Sequence, residues 1–212
     1  MSPEGLNKAL TLQRLSEICA PHEWEHVEAA FDGDADAADA LSVALSNSKR
    51  GAVAVAMWRA KVEREAFRAY FESVWGHDHR HVIAAAESRR TLGHMFRYAA
   101  FPMPAELPDV VTLWRGSSWL TIAEAKKGYS WTTDRSTACW FAVRFAQANG
   151  RPLVLRADVA KSDIALFTND RSESEAVLIR PPAAAVVDGN VSDWTAAFHL
   201  KEASIRQNAL TA

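Results

Sequence analysis

Hydrophobic and polar positions recur with helical spacing through the first half of the chain and with strand spacing through much of the second. Leu10, Leu15 and Ile18 mark a helix within residues 6–31, which breaks at Ala20-Pro21 and resumes for a turn or two from Trp24 to Phe31. A solvated turn at Asp32-Gly33-Asp34 leads into a helix from about Ala37. Gly51 precedes a stronger helix, in which Phe67, Tyr70, Phe71 and Val74 fall at i, i+3, i+4 and i+7 as one apolar stripe ending near Trp75-Gly76. A further helix is predicted from about His79 to Ala100, stopped by Phe101-Pro102-Met103-Pro104 and Pro108.

After these prolines the period changes. Asp109–Trp114 and Tyr129–Thr133 are rich in β-formers, and Leu153, Leu155, Ala157 and Val159 alternate with Val154, Arg156 and Asp158. Short strands are predicted at Asp163–Phe167, Ala176–Arg180 and Ala184–Asp188, and a helix closes the chain over residues 194–212. Between the strands, Thr133 or Asp134 can cap a helix whose face is Ala138, Phe141, Ala142 and Phe145, closed by Asn149-Gly150 and Pro152. The outline is an α+β chain: a helical part, residues 1–105, packed on a strand-rich core, residues 106–212.

Composition narrows the class. With 212 residues and 49% hydrophobic content the chain can bury a substantial core. It has no apolar run of about 18 residues and no basic-then-apolar start, so a cytoplasmic protein without a membrane span is expected, delivery into another cell requiring a signal-independent route. Two distant cysteines, Cys19 and Cys139, imply neither a disulfide framework nor a metal knuckle. The net charge of −2 gives no global pull towards nucleic acid. Its distribution is uneven: residues 1–40 carry two basic against nine acidic side chains, and residues 41–100 ten against five. The two stretches either dock on one another or are solvated helix faces.

No metal is expected. Asp32-Gly33-Asp34-Ala35-Asp36 resembles half of a calcium loop, but its glycine is misplaced and no glutamate stands at the twelfth position. In His77-Asp78-His79-Arg80-His81 the neighbours point in different directions on a helix, where ligands want i and i+3 or i+4.

Three strand ends carry the candidate chemistry. Arg115 ends an apolar strand before Gly116-Ser117-Ser118, which places a guanidinium fork, suited to a diphosphate, at a sheet edge beside approachable backbone. Ser130 and Thr132 share one face of a strand with Trp131 on the other, so two aligned hydroxyls can orient a carboxylate. Trp140 and Phe141 then offer rings to a flat heteroaromatic ligand. Glu173 and Glu175 have strand spacing, which puts both carboxylates on one face with Ser174 turned away. Such a pair can divide labour, one stabilising a cation at a sugar carbon and the other orienting the nucleophile. Each feature has a plain alternative: a solvent-exposed strand-end arginine, a core phenylalanine, and a charged hairpin loop at Thr168-Asn169-Asp170-Arg171-Ser172.

In order and rough spacing, three stretches resemble the motifs of the mono-ADP-ribosyltransferases of the arginine, serine, glutamate class. They are Leu113-Trp114-Arg115-Gly116, then Tyr129-Ser130-Trp131-Thr132-Thr133 with Ala138-Cys139-Trp140-Phe141-Ala142, and last Glu173-Ser174-Glu175-Ala176-Val177-Leu178-Ile179. The resemblance covers about residues 109–190. Two departures, the indole of Trp131 between the hydroxyls and Ala176 where a larger apolar residue is common, remove no chemical group.

The resemblance implies a split β-sandwich core preceded by a helical segment, and NAD as a consumed substrate. It implies that Arg115 holds the diphosphate, that the Gly116 backbone bonds the nicotinamide amide, and that Trp140 or Phe141 stacks on nicotinamide. Ser130 would position Glu175, Thr132 would join it in the NAD pocket, and Glu173 would orient the acceptor, a protein arginine ahead of a nucleic-acid base. A bacterial or phage toxin or effector, with an antitoxin or immunity protein as partner, is the expected setting. An NAD glycohydrolase, a nucleic-acid transferase and a non-catalytic binding module share parts of the pattern.

Overall fold

The structure, a computed structural model, describes residues 3–146, 150–169 and 172–211. The helix stop expected at Asn149 and the Asp170-Arg171 part of the turn expected before Glu173 lie outside the described residues. The chain divides into two compact units, one up to Phe101 and one from Pro102.

The first unit is helical: α1 (Pro3–Ser16), α2 (Pro21–Trp24), α3 (Val27–Asp32), α4 (Ala35–Ala44), α5 (Asn47–Arg59), α6 (Arg64–Ala86) and α7 (Arg89–Ala99). Its core is the predicted stripe of α6, with Phe67, Tyr70, Phe71, Val74 and Trp75 buried. Phe96 of α7 meets Phe71 and Trp75 edge-on at centroid separations of 4.8 and 4.9 Å. The Asp34 carboxylate accepts from the Ala37 amide at 2.9 Å, which starts α4 two residues before the expected point.

Three expectations change here. Gly51 does not precede a helix but lies inside α5, where a Cβ would fall 2.1 Å from the His81 carbonyl oxygen of α6. Helix α6 runs through Gly76 and kinks at Asp78 (φ −137°), whose buried carboxylate pairs with Arg50. The helix expected from His79 to Ala100 is interrupted at Glu87-Ser88, because the Ser88 hydroxyl caps a new helix by accepting from the Thr91 amide at 3.1 Å. Two of the histidines around Asp78 have ordinary partners: His77 bonds the Ser73 carbonyl and His79 lies against Trp75. Among the described residues no group of three or more His, Cys, Asp or Glu could hold a metal ion.

Glu23 makes an acid-sensitive joint in this unit. Glu23, 3% exposed, accepts from the Ala20 amide at 2.7 Å, the Ser46 amide at 3.2 Å and the Lys49 ammonium at 2.5 Å. Burial alone would raise its pKa, but these donors outweigh it and hold the carboxyl down at about 2. A folded value below the unfolded one adds stability that is complete above about 4.5 and is lost as pH falls towards 2. Glu23→Gln should therefore lower the urea midpoint at neutral pH and flatten its decline across that acid window. An unchanged acid slope would refute the assignment.

The second unit consists of β1 (Val110–Ser118), α8 (Ile122–Ala125), β2 (Ser130–Thr132), α9 (Arg135–Arg144), β3 (Pro152–Ala160), a 3₁₀ turn (Lys161–Asp163), β4 (Ile164–Thr168), β5 (Glu175–Leu178), β6 (Val186–Val187) and α10 (Val191–Thr211). The strands form one antiparallel sheet in the order β4-β5-β2-β1-β3-β6. With the helices this is an α+β architecture. The described strands pair in a single sheet rather than two, and the joint between β1 and β2 is one pair, Trp114 opposite Thr132.

Period-two alternation gives the sheet two apolar faces. Val111, Leu113, Trp131, Leu155, Ala157, Val159, Ala176 and Leu178 pack on one side with Ala125 of α8. On the other, Ala138, Cys139 and Ala142 of α9 and Trp194 of α10 cover Val154. Among the described residues no helix is long and apolar enough to cross a membrane.

Candidate active site

The motif residues converge on β1, β2 and β5, which are adjacent in the sheet. Thr132 of β2 stands opposite both Trp114 of β1 and Glu175 of β5, and Glu175 stands opposite Thr168 of β4. Directly opposed residues share a face, so Trp114, Thr132, Glu175 and Thr168 form a row across four strands about 4.8 Å apart. Ser130 is on the same face, one alternation along β2, opposite Val177. Glu175, at the start of β5, is 6% exposed.

Arg115 differs from expectation. It lies in the interior of β1, a central strand, and not at a strand end or a sheet edge. Alternation puts it on the opposite face from Trp114, and its guanidinium Nη1 donates to the Ser130 carbonyl at 2.5 Å. Gly128 makes room for it: a Cβ there would lie 2.0 Å from the Arg115 Cζ. The guanidinium thus bonds the β2 backbone where β1 and β2 are otherwise joined by a single pair.

Gly116 has a structural reason of its own. Helix α9 crosses β1 so closely that a Cβ on Gly116 would lie 1.8 Å from the Ala138 carbonyl oxygen and 2.8 Å from the Ala142 amide nitrogen. The helix is aimed by Asp134, whose carboxylate accepts from the Ser136 amide at 2.8 Å, the Thr137 hydroxyl at 2.8 Å and Lys201 of α10 at 2.9 Å. Burial would raise the Asp134 pKa, but the bonds from Lys201, Ser136 and Thr137 prevail and lower it to about 2.

The face of α9 that packs inward is Ala138, Cys139 and Ala142, not the expected stripe through Phe141 and Phe145. Phe145 is 57% exposed, and Phe141 stacks on it while meeting Trp140 edge-on at 4.9 Å. Trp140 donates its indole N–H to Glu202 of α10 at 2.5 Å and lies beneath the Arg144 guanidinium at 4.3 Å. Trp140 is therefore engaged by α10, while the partly exposed Phe141 ring is held by its aromatic neighbours.

Thr132 and the glutamate pair also differ from expectation. The Thr132 hydroxyl donates to the Glu173 backbone carbonyl at 2.6 Å and accepts from the Asp134 amide at 2.9 Å, so it ties the backbone instead of orienting a carboxylate. Strand β5 begins only at Glu175, and Ser174 has φ +46°, a left-handed conformation that ends the alternation. Glu173 is thus not on the strand, and the shared face inferred from its spacing does not follow.

Sequence reasoning placed Asn169 in a charged hairpin loop but gave its side chain no part in shaping the turn. The Asn169 side-chain oxygen accepts from the Ser174 amide at 2.9 Å and its hydroxyl at 3.1 Å. An asparagine just after a strand and before two serines is a turn signal that could have marked it. It also missed the anchor of Trp114, whose indole donates to Asp188 at 2.7 Å beside Arg135.

The sheet therefore carries a buried carboxylate in a hydroxyl-bearing row on one face, a second glutamate on a tied turn, and, on the opposite face, a guanidinium bonded to the Ser130 backbone. Such a group can stabilise a cation formed next to Glu175. No family model, no curated protein and no solved structure matches this chain.

Proposed function

We propose that the unit from Pro102 onwards is an NAD-dependent mono-ADP-ribosyltransferase of the arginine, serine, glutamate class. One observation carries this: the three motif stretches, separated by up to about 60 residues, lie on adjacent strands, with Ser130 and Glu175 on one face and Arg115, from the other face, bonded to the Ser130 backbone. The single-pair joint between β1 and β2 is compatible with the split core of that family.

In the proposed reaction the bond between nicotinamide and the ribose C1′ breaks, and nicotinamide leaves with the bonding electrons. The Glu175 carboxylate faces the resulting oxocarbenium-like carbon and lowers the energy of its positive charge. A guanidine nitrogen of the acceptor attacks C1′ and gives up its proton to Glu173, which also pairs with the guanidinium beforehand. Arg115 supplies a permanent charge for the diphosphate, and Phe141 a ring for nicotinamide.

Incubation of the whole protein with adenylate-labelled NAD and a cell lysate tests this. Nicotinamide release together with label on protein is expected. Absence of nicotinamide release and of calorimetric NAD binding would overturn the assignment, while release with label only in free ADP-ribose would replace it with an NAD glycohydrolase. Glu173→Gln should reduce transfer by about 100-fold or more, the usual contribution of a positioned acid or base. Slow hydrolysis of NAD should survive. Equal loss of both activities would remove Glu173 from the acceptor step.

A further inference from the structure

We infer that Asn169 is a positioning residue that sets Glu173 for transfer without being needed for NAD cleavage. The inference rests on the assignment proposed above. It starts from the way the two glutamates are held. Glu175 belongs to β5 and is fixed by ladders to β2 and β4, through Thr132 and Thr168. Glu173 lies outside the ladder, between Ser172 (φ +54°) and Ser174 (φ +46°), two left-handed residues that are not glycine. Such a conformation is disfavoured for serine and persists only where the surroundings hold it.

Two sets of bonds do the holding. From one side Asn169 accepts the Ser174 amide and hydroxyl on Oδ1, and the Ser172 amide on its backbone carbonyl at 2.8 Å. From the other, the Thr132 hydroxyl donates to the Glu173 carbonyl, and the Thr133 amide donates to the Ser174 carbonyl at 3.1 Å. The backbone on both sides of Glu173 is thereby tied, which fixes where its side chain leaves the chain relative to β5. Among the bonds of the described residues, those of the Asn169 side chain can be removed without touching β2 or β5. Their loss frees Ser174 to return to right-handed or extended backbone, which re-aims Glu173 and leaves Glu175 in its ladder.

The consequence is kinetic. Asn169→Ala should change the partition between transfer and hydrolysis, because a displacement of about 1 Å in an orienting group costs on the order of 100-fold in a reaction that depends on alignment. The ratio of transfer to hydrolysis should fall about tenfold or more, with hydrolysis itself within about threefold of the parent. The double variant Asn169→Ala, Ser174→Gly should recover much of the ratio, since glycine adopts positive φ without the side-chain bond. General loosening of the protein would not be rescued in this way.

The experiment uses the full chain, NAD and agmatine as a small guanidine acceptor, with lysate protein as a second acceptor and amide hydrogen exchange at Ser174 as a readout independent of activity. Faster exchange at Ser174 with a lowered ratio, restored by Ser174→Gly, supports the inference. An unchanged ratio, a parallel fall in hydrolysis, or a parent that cleaves NAD but transfers to neither acceptor overturns it. A parent with no NAD cleavage defeats the proposed function and with it the positioning role. Unchanged exchange at Ser174 in Asn169→Ala rejects the pin even where the parent is active.

Discussion

Glu175→Gln should stop nicotinamide release from NAD, with a fall of about a thousandfold or more, comparable to removing a charge-stabilising group from a preorganised site. The residue is buried at the head of β5, and glutamine fills the same volume and keeps a carbonyl acceptor, so far-ultraviolet circular dichroism and the melting temperature should stay close to the parent. In the proposed reaction, what is lost is the negative charge facing the developing cation. If, as proposed, that charge acts in the transition state more than on bound NAD, the loss should fall on kcat, with NAD affinity by calorimetry within a few-fold. A variant that still cleaves NAD at the parental rate would show that Glu175 has no part in the chemistry.

Gly116→Ala should have the largest effect on stability in the second unit. A Cβ carried by the β1 backbone would lie 1.8 Å from the Ala138 carbonyl oxygen of α9, and neither backbone can yield as a flexible side chain would. Helix α9 must lift off β1, opening the contacts of Ala138, Cys139 and Ala142 with Val154. Overpacking of this kind costs about 3 kcal/mol or more, a fall of roughly 10 °C in melting temperature for a unit of this size. Gly76 supplies the control: it lies within α6 and a Cβ there meets nothing within 4 Å, so Gly76→Ala should stabilise its unit by about 0.5–1 kcal/mol. Equal melting curves for Gly116→Ala and the parent would contradict the close crossing of α9 over β1.

Local signals in the sequence account well for some of this. Asp134 reads as a cap because a carboxylate before Arg135-Ser136-Thr137 can accept the first free amides of a helix, and it does so. The stripe Phe67, Tyr70, Phe71, Val74 is buried because four positions at helical spacing need one partner surface. Close approach between distant elements was not legible. Gly51, Gly116 and Gly128 look like turn or strand-end residues in one dimension, yet each makes space for a group far away in the chain: His81, Ala138 and Arg115.

Alternation misled twice for related reasons. For Glu173 the period of two was extended across Ser174, whose backbone is set by a side chain five residues earlier and not by its own preference. For Arg115 the following Gly116-Ser117-Ser118 looked like a strand end, although β3 supplies partners for all three residues. On α9 the larger rings suggested the inward face. Because the helix lies so close to β1, only Ala138, Cys139 and Ala142 fit there, and Phe145 is left outside.

The single pair between β1 and β2 divides the sheet like a pair of scissors into two blades. One blade, β4-β5-β2, carries Ser130 and Glu175, and the other, β1-β3-β6, carries Arg115. Each blade keeps its own ladder of backbone bonds whatever the angle between them. The bond from Arg115 to the Ser130 carbonyl is the rivet at their crossing. An anion bound by that guanidinium would compete with the neutral Ser130 carbonyl for it, and so would act on the one side-chain bond at the joint as well as on its own site.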